Sequence, residues 1–148
     1  MSHDSAHRTE ANTPESINAR IQRETEASIE RTLSAGHTAI EQRLRELDQE
    51  WDTERVLETL AASFTLTGVT LGATLDRRWL ALPAVVAAFL LQHGLQGWCP
   101  PVPAIRALGV RTPREIDAER IALKAARGDF ERPELKTSPR ALLSAVQR

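Results

Sequence analysis

One cysteine, no tyrosine and no excess of either charge mark this chain of 148 residues. A single Cys excludes an internal disulfide framework, and it leaves too few soft ligands for a structural zinc site. Aromatic residues make up only 4% of the chain, so a soluble core would lack its usual large anchors. Lys and Arg number 19 against 20 Asp and Glu, a net charge of −1. That balance excludes a broadly basic nucleic-acid binder and a polyacidic tail protein. Seven glycines form no phosphate-cradling loop, and there is no catalytic triad, no pair of carboxylates in an apolar setting and no internal repeat. Nothing in the sequence states a reaction, and no cofactor is expected. The length fits one domain or a small module with tails.

What the chain does have is charge segregation. Residues 1–58 carry a net −6, residues 59–105 a net +1 and residues 106–148 a net +4. The middle block holds only Asp76, Arg77 and Arg78 as formal charges. It divides into Thr59–Leu75 and Trp79–Ile105. A helix needs about 20 apolar residues to cross the hydrocarbon core. The first segment is at the short limit. In the second, Trp79 and Trp98 bracket a run of crossing length, as an interfacial aromatic belt does. A buried hairpin in a soluble helical bundle can also be apolar all round. It would need wide apolar faces to cover it, and the flanking segments offer only narrow stripes. The expected fold class is therefore all-α: a two-helix transmembrane hairpin, spans about 57–75 and 79–98, with cytoplasmic amphipathic helices on both sides.

Residues 1–12 are polar and without periodicity, and are expected to be disordered. Thr13 reads as an N-cap with Pro14 at the first helical position of an arm over 13–54. Ile17, Ile21, Ile29 and Leu33 repeat at multiples of four. Gly36 breaks or bends the helix, and Ile40, Leu44, Leu47 and Trp51 step by four, three and four. Such a narrow stripe either packs on a neighbouring part of the chain or supports dimerisation or partner docking.

On the first span, Leu60, Phe64, Leu71 and Leu75 share one face, and Ala61, Thr65, Gly68 and Gly72 the adjacent one. Ser63, Thr67, Thr70 and Thr74 make a third. Apolar side chains gain nothing in lipid by hiding from acyl tails, so helices associate where small residues let backbones approach. Gly68 and Gly72, with Thr65 and Ala61, are thus the predicted helix-packing residues; the spacing leaves open whether the partner helix is in the same chain. The hydroxyls can bond back to their own helix or across. Asp76-Arg77-Arg78 allows only a tight connection, so the spans must be antiparallel neighbours. Pro83 falls in the first turn or so of the second helix, where few backbone bonds are lost. Six arginines flank the outer ends of the hairpin against two in the connection, which places both termini in the cytoplasm. No basic region leads into an apolar run at the N-terminus, so no signal peptide is expected.

Gln92, His93 and Gln96 form a polar cluster at the exit of the second span, with Cys99 beyond it on the same stripe as Gln92 and Gln96. Polar groups in a span are functional candidates, but these lie where headgroups and water can reach them. Pro100, Pro101 and Pro103 are expected to end the helix. A helix C-terminus raises a thiol pKa, and Arg106 opposes that. Cys99 is the one candidate thiol. Thr112-Pro113-Arg114-Glu115 is a capping box opening a helix over about 113–127, with Ile116, Leu123 and Ala126 near one face and Gly128 as its C-cap. Its Arg and Lys side chains either meet anionic headgroups or are simply solvated. A last short helix is expected over 140–146.

The run from Arg55 to Gly109 resembles the YgaP-like transmembrane domain, a small bacterial inner-membrane family. The resemblance rests on Arg55, on Leu66-Thr67-Gly68-Val69-Thr70-Leu71-Gly72, on Gly97-Trp98-Cys99-Pro100 and on Leu108-Gly109. It implies a hairpin with cytoplasmic ends, often dimeric, in the bacterial inner (cytoplasmic) membrane. Some relatives fuse it to a rhodanese domain, which this chain lacks. The expected role is a non-enzymatic anchor or interaction module whose partners are the bilayer, a second copy and a cytoplasmic protein such as a rhodanese-type sulfurtransferase. A sulfur or redox relay through Cys99 and a soluble helical bundle are the alternatives.

Overall fold

The computed structural model describes residues 7–129, which are helical apart from short turns and contain no strand. The helices are α1 (Arg8–Ala11), α2 (Glu15–Ala35), α3 (His37–Gln49), α4 (Thr53–Thr74), α5 (Ala81–Gln96), α6 (Pro101–Ala107) and α7 (Pro113–Arg127), with a 3₁₀ turn at Arg77–Leu80. The chain divides into two compact units. Among the described residues, one comprises 7–23 and 51–115, the other 24–50 and 116–129. The helix expected over 140–146 lies outside the described residues.

In the second unit, Ile40, Leu44 and Leu47 of α3 pack with Ile116 and Leu123 of α7, and Ile29 of α2 covers their edge. The stripe read from the sequence is thus buried within the chain. Its last member, Trp51, is not: it is exposed, with the Arg55 guanidinium 4.3 Å from its ring centre. Gly36 separates α2 from α3 at φ +90°, a backbone conformation that side chains with a Cβ resist.

The first unit begins with a finding against expectation. Residues 7–12 are ordered into the single turn α1, and Asn12 and Thr13 close it through their backbone N–H groups. Thr13 does not cap α2 as the sequence suggested. Its hydroxyl donates to the Thr9 carbonyl at 2.7 Å, and the Pro14 carbonyl opens the next helix by accepting from Ile17 and Asn18. A local bond to the preceding turn has outcompeted the cap.

Asp52 caps α4 by accepting from the Arg55 N–H at 2.7 Å. Thr53 anchors the same end, donating both its N–H and its hydroxyl to the Arg111 carbonyl. At the far end, Asp76 accepts from the Arg78 N–H at 2.8 Å, so the three-residue connection is a capped turn that reverses the chain into α5. Pro83 sits in the first turn of α5, as read. The second span ends earlier than expected. Gly97, at φ +74°, terminates α5 by donating to the His93 carbonyl, the left-handed ending that glycine permits. The prolines do not end it. Pro101 instead starts α6, a helix the sequence did not announce, because proline suits a first helical turn.

The stretch that closes at Thr74 and the stretch Arg77–Gln96 are each long and apolar enough to cross a membrane. No residue of α5 is buried, and in α4 only Thr53, Leu57, Ala61 and Gly68 are.

Candidate functional site

The small-residue face of α4 meets the start of α5 within the same chain. A Cβ placed on Gly68 would overlap Pro83 Cδ and come within 3.1 Å of Leu82 Cβ and 3.2 Å of the Trp79 carbonyl oxygen. One on Gly72 would stand 2.6 Å from Leu80 Cδ2. The partner left open by the sequence is therefore the other arm of the hairpin. Ala61 is buried on this face, and Thr65 partly so. Three of the hydroxyls turn inward on their own helix: Thr59 donates to Arg55, Ser63 to Thr59 and Thr74 to Thr70, each at 2.7 Å. That satisfies them without a partner helix. Gly68→Ile is expected to destabilise the hairpin by about 1–3 kcal/mol, because Pro83 and a backbone carbonyl cannot move aside as a flexible side chain would. Unfolding in detergent measures it. A dimer, if formed, should survive the substitution, since this contact is internal.

About two turns from the glycine contact, the two helices flank a half-open cavity of 240 Å³. Leu57, Ala61 and Phe64 wall it on α4, and Val85, Val86 and Phe89 on α5, with Cys99 and Pro101 at its base.

Cys99 lies elsewhere than the sequence suggested. It is no longer on α5 but in the turn leading into α6, where its carbonyl accepts from the Val102 N–H. Its side chain is fully buried with Leu57, Val102 and Ile105, edged by Val56, Phe89 and Val110. Burial pushes the thiol pKa up, and hydrogen bonding with the Val102 backbone offsets only part of that. Removing a thiolate from water is costly, so the neutral form is favoured. Two results are expected. Alkylation of Cys99 in the folded protein should be much slower than that of a free thiol. Stability should also be fully present at neutral pH and fall as the medium rises past the ordinary thiol pKa of about 8.5, because only the unfolded chain then ionises freely. Cys99→Ala should abolish that alkaline loss.

The stripe expected to join Gln92, Gln96 and Cys99 is broken by the end of α5 at Gln96. Gln96 is exposed; Gln92 and His93 are partly buried. His93 Nδ1 is buried without a hydrogen-bond partner among the described residues. Those residues contain no group of three or more His, Cys, Asp or Glu placed to hold a metal ion.

Two buried ion pairs were invisible in the sequence. Arg106, read there as a flanking charge, is completely buried. Its guanidinium reaches Glu115 through two nitrogens, Nη2 to Oε1 at 2.7 Å, and donates also to Asn18 Oδ1 at 2.9 Å and to the Val110 carbonyl at 3.1 Å. Glu115 in turn accepts from the Thr112 N–H at 2.8 Å and donates its own N–H to Thr112 Oγ1 at 3.3 Å. The capping box is thus present, and its carboxylate has a second task. In the other unit, Glu119 is completely buried. It accepts from Arg43 Nε at 2.9 Å, Arg43 Nη2 at 3.1 Å and Ser28 Oγ at 2.8 Å. The hydrogen bond to Glu119 raises the Arg43 pKa further, so this guanidinium stays charged. The only early signal was the dense Arg and Glu content of α3 and α7, which reads equally as solvated charge.

Several cations of α7 are also engaged. Arg120 bonds Asp48 at 3.1 Å and the Leu47 carbonyl at 3.3 Å, and Arg127 pairs with Asp129. Neither is a free headgroup contact. Comparisons with protein-family models, with curated proteins and with solved structures found no significant match to the chain.

Proposed function

We propose that this is a small integral membrane protein of the bacterial inner membrane, a non-enzymatic anchor with both termini in the cytoplasm. One observation carries the reading: nothing among the described residues covers the apolar surface of the hairpin. Leu66, Leu75, Leu91 and Leu95 are 65–74% exposed. Soluble monomers do not present apolar surface of this extent, whereas a bilayer replaces the missing cover with acyl chains. Trp51 and Trp98 flank the cytoplasmic ends of the spans and Trp79 the opposite turn, where aromatic rings suit the interface. Arg77 and Arg78 in that turn are outnumbered by the arginines at the other end, which sets the orientation.

Anchoring is favoured over chemistry because the single thiol is sealed and its pKa is raised. A sulfur or redox relay needs an exposed, easily ionised thiol. The charged helices of the second unit are the surface offered to a cytoplasmic partner, and a sulfurtransferase of rhodanese type remains the partner that the family resemblance suggests. A homodimer would have to use an apolar face other than the glycine contact.

Two measurements test the placement. The protein should resist carbonate extraction from vesicles; release into the supernatant would overturn it. With Cys99 replaced by Ala, a cysteine introduced by Asp76→Cys should react with a membrane-impermeant maleimide in intact cells. Reaction only after lysis would reverse the orientation.

A further inference from the structure

We infer that the cavity between α4 and α5 is a binding site for one lipid acyl chain; this rests on the membrane reading above. The cavity arises from the packing of the hairpin. Gly68 and Gly72 draw the helices together near the connecting turn. Two turns away the α4 wall carries only Ala61 between Leu57 and Phe64, and the facing Val85 and Phe89 do not fill the gap. The base is closed by Cys99, which belongs to the packed cluster with Leu57 and Val102.

Chemistry and size select the occupant. No nitrogen or oxygen atom contributes to the wall. Water needs two to four polar partners to occupy a cavity, and an apolar void of about 150 Å³ stays dry and takes up a small hydrocarbon. A volume of 240 Å³ is larger than that, yet below the roughly 300–1,000 Å³ of sites for drug-sized ligands. A helix of a second copy, about 10 Å across, is too wide to enter. A single hydrocarbon chain is slender enough. Access is also available. Ala61 and Cys99 are buried, but Phe64 on the α4 wall and Val85 on the α5 wall are 50% and 49% exposed. The cavity therefore reaches the outer face of the hairpin, where a bilayer supplies acyl chains at high concentration. A retained chain would complete the packing that the wide half of the hairpin lacks.

The test uses the full chain in phosphatidylcholine vesicles whose lipid carries a diazirine on one acyl chain. Adducts formed on illumination are mapped by mass spectrometry. Adducts at Ala61 and Phe89 should exceed those at the outward-facing Leu66 and Leu91 several-fold. Ala61→Phe, which fills the cavity, should cut them several-fold while leaving Leu66 and Leu91 labelled as before. Val85→Phe narrows the same space from a half-exposed position and should act alike if Ala61→Phe fails to fold. Labelling of the cavity no greater than that of Leu66 and Leu91, or labelling indifferent to both substitutions, would overturn the site and leave the membrane placement standing. Absence of labelling at Leu66 and Leu91 as well would overturn both. In a Cys99→Ala background, oxidation of Phe64→Cys by copper–phenanthroline to a disulfide-linked dimer, with no lipid adducts in the cavity, would assign the cavity to a second copy instead.

Discussion

Replacing Arg106 by Met should destabilise the first unit by about 3–5 kcal/mol, the usual cost of removing one partner from a buried ion pair. The size follows from what is left behind. Glu115 loses both its guanidinium contacts, and Asn18 Oδ1 and the Val110 carbonyl lose their donors; the Glu115 side chain is 20% exposed, so water can partly replace the guanidinium and the loss should fall toward the lower end of that range. Arg106→Lys should recover only part of the loss, because an ammonium cannot serve two carboxylate oxygens and two further acceptors in the same plane. Arg106→Met combined with Glu115→Gln should be more stable than Arg106→Met alone, since no unpaired charge then remains. Thermal or denaturant unfolding in detergent, with the double substitution as the control, measures the effect. A wild-type-like Arg106→Met would show that water reaches the site and that the pair is not buried in solution. One nitrogen, Arg106 Nε, has no hydrogen-bond partner among the described residues, so the cluster is imperfectly satisfied there. That gives the double substitution room to come close to wild-type stability.

The second large effect is expected from Arg43→Met, which strands Glu119. The carboxylate is fully buried, and the substitution removes both of its guanidinium hydrogen bonds while the Ser28 hydroxyl stays in place. The Arg43 side chain itself is 24% exposed, so water can partly replace it, and the loss should fall near the lower end of about 3–5 kcal/mol. This variant has a pH signature that a packing defect lacks. A buried carboxylate without a cation is favoured in its protonated form. The stability of Arg43→Met should therefore approach wild type at mildly acid pH and fall away as the pH rises and the site must hold a charge. Adding Glu119→Leu should remove that dependence and restore much of the stability. Hydrogen exchange along α3 and α7 reports the unit directly, because Ile40, Leu44 and Leu47 pack with Ile116 and Leu123 beside the pair. A pH-independent loss would mean that Glu119 is not desolvated.

Local chemistry was legible wherever a residue acts on its own neighbours. The Thr112–Glu115 capping box, the Gly36 break and the Gly128 ending at φ +89° all stand where the sequence put them. Each depends on contacts within four residues. Local readings failed where two short-range options competed. Thr13 bonded backward instead of capping, and Gly97 ended α5 before the prolines could. The early end of α5 displaced Cys99 from a helix end into a packed core, and the stripe it was to share with Gln92 and Gln96 went with it.

The apolar middle, its division at Asp76-Arg77-Arg78 and the small face of the first span were set by composition and spacing alone, because a helix shows its sidedness through its own 3.6-residue period. The choice of partner for that face needed three dimensions. So did the pairing of Arg43 with Glu119, separated by 76 positions, and the burial of Arg106. A charge has the same identity in water and in a core, and no periodicity distinguishes the two. Only the chain brought back on itself decides which charges lose their solvent, and therefore which of them hold the structure together.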